Sequence, residues 1–133
     1  MSEDYKKQFE TRSINQMLGI TLLEQRKGYG RILLTRTDDT PKGIGGSVHG
    51  GVLATMVDEA MLVAVFANLR EGEQPAGTAE LNISYLRPVH SDKVFATANE
   101  IKRGRQLAVI DVDITDGDDR LCAKGRVTYA FRV

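Results

Sequence analysis

The sequence of 133 residues has no tryptophan and a single cysteine, Cys122. One cysteine excludes an internal disulfide framework and a multi-cysteine metal site, and it favours a reducing compartment. An excess of charge of one sign is also missing, because 18 lysines and arginines balance 18 aspartates and glutamates. No overall electrostatic field therefore attracts nucleic acid or an anionic membrane, and any basic binding site has to be local.

Long apolar runs are absent as well. The longest one, residues 52–69, is interrupted by polar side chains that include Asp58 and Glu59, so it predicts a buried helix and not a membrane span. The N-terminus has neither the apolar core of a signal peptide nor the arginine-rich, acid-poor character of a transit peptide. We therefore expect a cytoplasmic protein without a membrane segment, folded as one domain over residues 1–133.

The apolar pattern predicts two strands, a buried helix and four more strands. Two apolar runs between residues 20 and 37 flank Gly28-Tyr29-Gly30, as in a hairpin, and a short helix is expected before them. From Gly50 to about Leu69 apolar residues occur on every side, which predicts a helix enclosed by protein. Residues 71–77, with two glycines and a proline, are expected to form a loop before the sheet resumes.

The rest of the sequence is typical of antiparallel strands joined by tight turns. Between Ala108 and Ile114 apolar and polar residues alternate, so one face of that strand is expected to be buried. In the last strand the outward-facing set carries basic residues and, by the same alternation, Cys122. This order of elements predicts an α+β fold, with an antiparallel sheet of about six strands and a single long helix packed on it.

A histidine and two glycines lead into the predicted helix, and Asp58 follows nine residues after His49. This pattern resembles the PaaI-type branch (4-hydroxybenzoyl-CoA thioesterase-like) of the hotdog-fold acyl-CoA thioesterases. Three further segments carry the same resemblance, which covers nearly the whole chain: residues 15–19, 78–88 and 103–108. The resemblance implies the hotdog fold, in which the sheet wraps around one long central helix.

Elementary chemistry points to the same residues. Free N–H groups and the positive end of the dipole at a helix N-terminus stabilise an anion, and Gly50 and Gly51 would let a thioester carbonyl approach closely. Asp58 lies two turns further along an enclosed helix, where an unpaired charge is costly. A carboxylate in that place is expected to have a function. Glu59 is the second candidate, although it points about 100° away around the helix.

The resemblance implies how these groups would act. Asp58 would either activate a water as general base or attack the thioester as nucleophile. The Thr78 hydroxyl would orient the water or the carboxylate, and His49 would polarise or position the carbonyl. A homodimer is also implied, with acyl-CoA in its interface and with Gly50 of one chain meeting Asp58 of the other. Two such dimers are expected to pair as a tetramer.

Contacts to coenzyme A are expected at Gly51 and at the turn formed by Arg103, Gly104 and Arg105, where the family often holds the pantetheine and the nucleotide. Guanidinium groups suit phosphate oxygens, although a solubilising basic face explains the arginines equally well. One position departs from the family pattern. Gly43 stands six residues before the histidine, where related enzymes commonly carry Asn or Gln.

We therefore predict a hydrolase that converts an acyl-CoA, with an aryl or a short to medium acyl group, to the carboxylic acid and coenzyme A, without a metal or cofactor. The length of the acyl tunnel is expected to depend on Met56, Met61, Tyr85 and the partner chain. Two alternatives stay open. A hotdog hydratase or dehydratase is disfavoured by the His-Gly-Gly start of the helix, and a non-catalytic acyl-CoA binding protein is compatible with Gly43.

Overall fold

A six-stranded antiparallel sheet and one long helix form the core of the structure, a computed structural model that describes residues 2–132. The strands are β1 (Ile20–Arg26), β2 (Tyr29–Thr35), β3 (Gln74–Tyr85), β4 (Lys93–Arg103), β5 (Leu107–Thr115) and β6 (Leu121–Arg132). Their order in the sheet is β1-β2-β4-β5-β6-β3. The central helix α3 (Gly50–Phe66) contacts all six strands. The predicted α+β class, the strand count and the single long helix are confirmed.

Two short helices precede the sheet, where the sequence predicts one. Helix α1 (Glu3–Glu10) begins after Ser2, whose hydroxyl accepts a hydrogen bond from the Tyr5 N–H at 3.1 Å. Helix α2 (Ser13–Leu18) ends at Gly19, which has a left-handed φ of 73°. Glycine adopts this conformation without the steric cost of a side chain, so the chain turns there directly into β1. No helix in residues 2–132 has the length and apolarity needed to cross a bilayer.

Three element boundaries differ from the sequence prediction. Helix α3 ends at Phe66 instead of near Leu69. Strand β3 begins at Gln74, so the segment predicted as a loop pairs with β6, and Pro75 is tolerated because one side of an edge strand makes no ladder hydrogen bonds. The first hairpin turns at residues 27–28, and Tyr29 already pairs with the end of β1.

Cys122 is fully buried, whereas the alternation of β6 predicts that it faces outward. The pairing of β5 with β6 shifts between Ile114 and Thr115, and both Cys122 and Ala123 turn inward as a result. Burial raises the pKa of the Cys122 thiol, because desolvation disfavours the thiolate. Cys122 is therefore a core residue.

Small residues on the sheet let helix α3 pack closely against it. A Cβ atom on Gly30 in β2 would lie 2.6 Å from the Val63 side chain, and one on Gly125 in β6 would lie 2.6 Å from Val57. Larger apolar side chains fill the space on both sides of these contacts, the largest fully buried ones being Ile20, Leu22, Ile32, Leu34, Met56, Met61, Ile110 and Ile114. The helix axis is therefore fixed at short range by two glycines.

The two edge strands of the sheet differ in character. The N–H of Leu22 in β1 donates to the Glu10 carboxylate at 2.8 Å, so α1 covers part of that short edge. Strand β3 has twelve residues, and no strand within residues 2–132 pairs with its second edge. A long exposed edge is a template for pairing with another chain.

The contact at Gly30 predicts a stability effect. Gly30→Ala should lower the free energy of unfolding by about 1–3 kcal/mol, because the added methyl group has to displace α3 or distort Val63. Gly117→Ala is the matched control, since its Cβ would meet Ser91 only at an ordinary 3.4 Å. Urea denaturation of the two variants measures the difference. Equal stability of both would show that α3 does not rest on Gly30.

Candidate active site

Helix α3 begins with one backbone amide that has no hydrogen-bond partner among the described residues. His49 is the N-cap, and its Nδ1 accepts a hydrogen bond from the Gly51 N–H at 2.9 Å. The next amides, of Val52 and Leu53, donate to the His49 carbonyl oxygen. Within residues 2–132 the Gly50 N–H donates to no acceptor, so it is the donor that the helix N-terminus offers to a ligand.

These contacts separate the roles expected for the His-Gly-Gly segment. The His49 ring accepts the Gly51 amide, which holds the ring against the helix start and occupies that amide. His49 therefore orients the segment that carries the Gly50 amide. The Gly51 N–H, expected to contact coenzyme A, is already used inside the chain, so Gly51 can contact a ligand only through its exposed backbone surface.

Tyr85 fixes the other side of the helix start. Its hydroxyl donates to the Gly50 carbonyl oxygen at 2.6 Å, and its ring would lie 3.2 Å from a Cβ atom at Gly50. A side chain at this position would therefore press on the Tyr85 ring, which would have to shift by a few tenths of an ångström. Tyr85 was expected only as a wall of the acyl tunnel. The signal for its positioning role is tertiary, because strand β3 brings it to the helix from 35 residues away.

A cleft of about 540 Å³ opens beside the Gly50 amide, and Gly43, Ser47, His49, Tyr85 and Arg87 lie along it. Gly43 thus does face the site, as its place before the histidine predicts. The nearest side-chain atom to a Cβ on Gly43 would be the Ser47 hydroxyl oxygen, at 3.3 Å, and this hydroxyl donates to the Ile44 carbonyl oxygen. No side-chain amide occupies the place of the family's Asn or Gln.

Asp58 and Thr78 are brought together by the packing of α3 on β3. The Thr78 hydroxyl donates to Asp58 Oδ1 at 2.8 Å, across 20 residues of sequence. Asp58 is half-buried and Thr78 is exposed on the edge strand. One carboxylate oxygen is thereby held in place, and the second oxygen, Oδ2, is left for a water or a substrate atom.

Glu59, the second candidate carboxylate, is engaged elsewhere. Its side chain is 5% exposed and accepts hydrogen bonds from Arg12 at 3.0 and 3.2 Å and from Asn15 at 2.9 Å. This buried cluster joins α1 and α2 to the central helix. Glu59 is therefore a structural residue, and Asp58 is the carboxylate that remains accessible on α3. Burial is the main cause that raises the pKa of the Tyr129 hydroxyl, and the negative charge of the nearby Asp58 raises it further.

The turn expected to bind coenzyme A offers one exposed arginine. The Arg103 side chain is 7% exposed, forms an ion pair with Glu73 and lies 3.7 Å from the centroid of the Phe131 ring. Its guanidinium is therefore used inside the fold, and the expectation that it grips a phosphate does not fit its burial. At Gly104 a Cβ would meet the Leu107 carbonyl oxygen at 2.9 Å, so this glycine serves the turn. Arg105 is exposed.

The basic face of β6 is charge-paired across the sheet. Lys124 contacts Asp113 at 2.7 Å and Arg126 contacts Asp111 at 2.7 Å. The hydrogen bond from Arg126 lowers the pKa of Asp111. Cross-strand pairs on a solvent-facing surface therefore explain Lys124 and Arg126 without a bound phosphate.

The two groups expected to act on one thioester are far apart within one chain. Gly50 and Asp58 are eight residues apart on the same helix, which places them about 12 Å apart along its axis. A carbonyl held about 3 Å from the Gly50 amide is out of reach of a water held by Asp58. Within a single chain the Gly50 amide and the Asp58 carboxylate therefore cannot act on the same carbonyl group.

Comparison with known proteins places this geometry in a family. The model of the thioesterase superfamily matches residues 45–123, more than half of the chain and all of α3 and β3. The chain belongs to the thioesterase superfamily. This thioesterase is 30% identical over 131 residues to human acyl-coenzyme A thioesterase 13, covering 96% of this chain and 91% of that protein.

Two further relatives agree. A medium/long-chain acyl-CoA thioesterase of Salmonella typhimurium is 28% identical over 131 residues, covering 86% of this chain and 83% of the relative. The crystal structure of a thioesterase from Haemophilus influenzae superposes with a TM-score of 0.87 at 26% identity, over 99% of this chain and 91% of that one. The resemblance read from the sequence is thereby confirmed, and so are the hotdog fold and the assignment as a thioester hydrolase.

The different surroundings of the two neighbouring carboxylates predict effects of different size on stability. Glu59→Gln should lower the free energy of unfolding by about 1–3 kcal/mol, because the buried Asn15 and the Arg12 guanidinium lose a charged acceptor. Asp58→Asn should change it by less than about 0.5 kcal/mol, since the amide oxygen keeps the Thr78 hydrogen bond. Urea denaturation compares the two variants. An equal loss in Asp58→Asn would make Asp58 a structural residue as well.

Proposed function

We propose that this thioesterase hydrolyses acyl-CoA to a free carboxylic acid and coenzyme A, with Asp58 as the carboxylate that drives the attack. The observation that carries the proposal is the pair of half-sites on α3: an unpartnered Gly50 amide at its N-terminus and an accessible Asp58 held by Thr78. The acyl-CoA thioesterases among its relatives support the substrate class. A cytoplasmic location stays a prediction.

The chemistry follows from the positions of these donors and acceptors. The thioester oxygen accepts the Gly50 N–H, and the helix dipole stabilises the negative charge that forms on that oxygen during attack. Asp58 Oδ2 takes the proton of an attacking water, the C–S bond breaks, and the proton passes to the departing thiolate sulfur. Direct attack by Oδ2, which forms an anhydride that water then opens, uses the same geometry. Thr78 orients the carboxylate in both routes.

A second copy of the chain completes the site. Strand β3 carries both the Thr78 contact to Asp58 and the Tyr85 contact to Gly50. If two copies pair antiparallel through the free edge of β3, with the two-fold axis between Leu81 and Asn82, Thr78 lies opposite the partner's Tyr85. Asp58 then lies beside the partner's Gly50, and each dimer has two complete sites. Pairing of two such dimers as a tetramer stays a prediction.

The same pairing gives Arg105 a role in binding coenzyme A. Arg103 and Glu73 tie the turn before β5 to the start of β3, whereas the cleft beside Gly50 lies at the end of β3. Antiparallel pairing brings the start of one β3 to the end of the other. Arg105 of one chain is then on the side of the partner's cleft, where its exposed guanidinium can meet the phosphates of coenzyme A.

The role of Asp58 is tested by release of free thiol from a panel of aryl, short, medium and long acyl-CoAs. Asp58→Asn should lower kcat by about 10²- to 10⁴-fold, because the amide cannot accept a proton or attack. Thr78→Val should cost about tenfold through loss of one hydrogen bond. Glu59→Gln, assayed at a temperature where it is folded, is the control and should retain activity. Wild-type binding of acyl-CoA without turnover would instead support a binding protein.

Two substitutions at Gly50 test whether its backbone N–H acts in catalysis, and both add a Cβ atom at this position. Gly50→Pro removes the N–H at the first helical position, where proline is tolerated, and the His49 ψ of 136° suits a following proline. Gly50→Ala adds a similar Cβ against the Tyr85 ring and keeps the N–H. The proline variant should lose about 10²- to 10³-fold in kcat, and the alanine variant much less. Equal losses would assign the effect to the ring contact.

Mixed dimers then test the shared site. Gly50→Pro and Asp58→Asn chains are each inactive, but a hybrid dimer has one site with both wild-type groups. Unfolding and refolding an equal mixture should restore about one quarter of the wild-type activity, because about half of the dimers are hybrids with one intact site each. No recovery, with hybrids detected by mass spectrometry, would mean that both groups act within one chain.

A further inference from the structure

A stripe of half-buried side chains runs along α3 from the thioester site toward the C-terminal end of the helix. From Thr55 onward its members recur every three or four residues, Ala54 lies beside Thr55, and the other residues between Thr55 and Phe66 are buried in the core. The half-buried residues of the stripe are Ala54, Thr55, Asp58, Leu62 and Phe66. Residues with this spacing lie on one face of a helix. Leu62 and Phe66 are one and two turns beyond Asp58, about 6 and 12 Å along the axis.

Helix α1 covers the far half of this stripe and leaves a cavity beneath it. The cavity has a volume of about 270 Å³ and is lined by Tyr5, Gln8, Phe9, Arg12, Leu62 and Phe66. The Tyr5 ring packs edge-on against Phe66, with 6.3 Å between centroids, and stacks on Phe9 at 6.4 Å. Aromatic and aliphatic surfaces therefore form most of its wall.

The cavity contains no uncompensated charge. The Arg12 guanidinium is bound by both Glu59 carboxylate oxygens, and burial raises the pKa of the Tyr5 hydroxyl, so that it stays neutral. An anionic acyl end would have to compete with Glu59 for Arg12. The chemistry of the wall therefore matches an aliphatic chain better than a dicarboxylate.

Helical spacing places the cavity next to the thioester site. Leu62, which lines the cavity, follows Asp58 by one turn on the same helical face. The tunnel predicted from the sequence was expected to depend on Met56 and Met61, but both are fully buried in the core. An acyl chain whose thioester lies at Asp58 can therefore pack only on the half-buried stripe, which leads through Leu62 and Phe66 into the cavity.

We propose that the cavity under α1 receives the distal end of the acyl group, that Leu62 lines the way into it, and that Phe66 at its far end sets the preferred chain length. The inference rests on the proposed acyl-CoA hydrolysis at Asp58. With an advance of about 1.3 Å per methylene, the distance of about 12 Å from Asp58 to Phe66 corresponds to a chain of about eight to ten carbons. This thioesterase is therefore a medium-chain enzyme, and chains of two to four carbons leave the cavity empty.

The test is a chain-length profile of kcat/KM with butyryl-, octanoyl-, decanoyl- and palmitoyl-CoA. The wild type should favour octanoyl- and decanoyl-CoA over butyryl-CoA by about 30-fold, because several methylenes leave water. Leu62→Trp fills the cavity and should remove that preference while butyryl-CoA turnover stays within about twofold. Phe66→Ala lengthens the cavity at its far end and should move the optimum to longer chains. Lys7→Trp, an exposed substitution on α1 outside the lining, is the control and should change nothing.

Binding separates this inference from the proposed reaction. The non-hydrolysable thioethers S-decyl-CoA and S-ethyl-CoA are titrated calorimetrically into the wild type, Leu62→Trp and Lys7→Trp. A decyl advantage that Leu62→Trp alone removes supports the cavity even if no thioester is hydrolysed. An equal loss for both ligands, or a profile that Leu62→Trp leaves unchanged, overturns the assignment. Failure of thiol release with an intact decyl advantage overturns only the reaction.

Discussion

The close packing of α3 on the sheet is the constraint from which both half-sites take their positions. Gly30 and Gly125 allow the helix to approach until Val63 and Val57 meet the strand backbones. At this distance the side chains of β3 reach the helix, so Tyr85 touches Gly50 and Thr78 touches Asp58. A larger residue at either glycine would push the helix away from the sheet and disturb these contacts.

Two adjacent carboxylates on one helix have different surroundings because they point in different directions. Glu59 faces inward, where Arg12 and Asn15 neutralise and hold it. Asp58 faces the edge strand, where a single hydroxyl orients it and solvent reaches it. The Glu59 cluster also ties α1 to α3 through Arg12. It thereby holds α1 over the apolar cavity that Leu62 and Phe66 line on the neighbouring face of the helix.

Strand β3 connects the fold to the proposed catalytic unit. It is bound on one side by β6, carries the two residues that position the half-sites, and leaves its other edge free within the described residues. The separation of Gly50 from Asp58 along α3 is a fixed property of helical rise, and it leaves each chain with two incomplete sites. In the proposed dimer the two incomplete sites meet at the free edge of β3, where Thr78 is exposed.

The sequence by itself determined the fold class and the central helix, because apolar periodicity is a local signal. The spacing after His49 is local as well, and it predicts Gly50 and Asp58 as the site residues. It misplaced the start of β3 and the orientation of Cys122, since a proline on an edge strand and a shift in strand register depend on the neighbouring strand. Only the tertiary structure showed that Glu59 is buried and paired while Asp58 is accessible. It also showed that Arg103 is buried against the Phe131 ring and that Tyr85 contacts Gly50. These outcomes were decided by contacts between residues 20 to 50 positions apart, and no local pattern encodes which side chains such contacts will neutralise, bury or leave free.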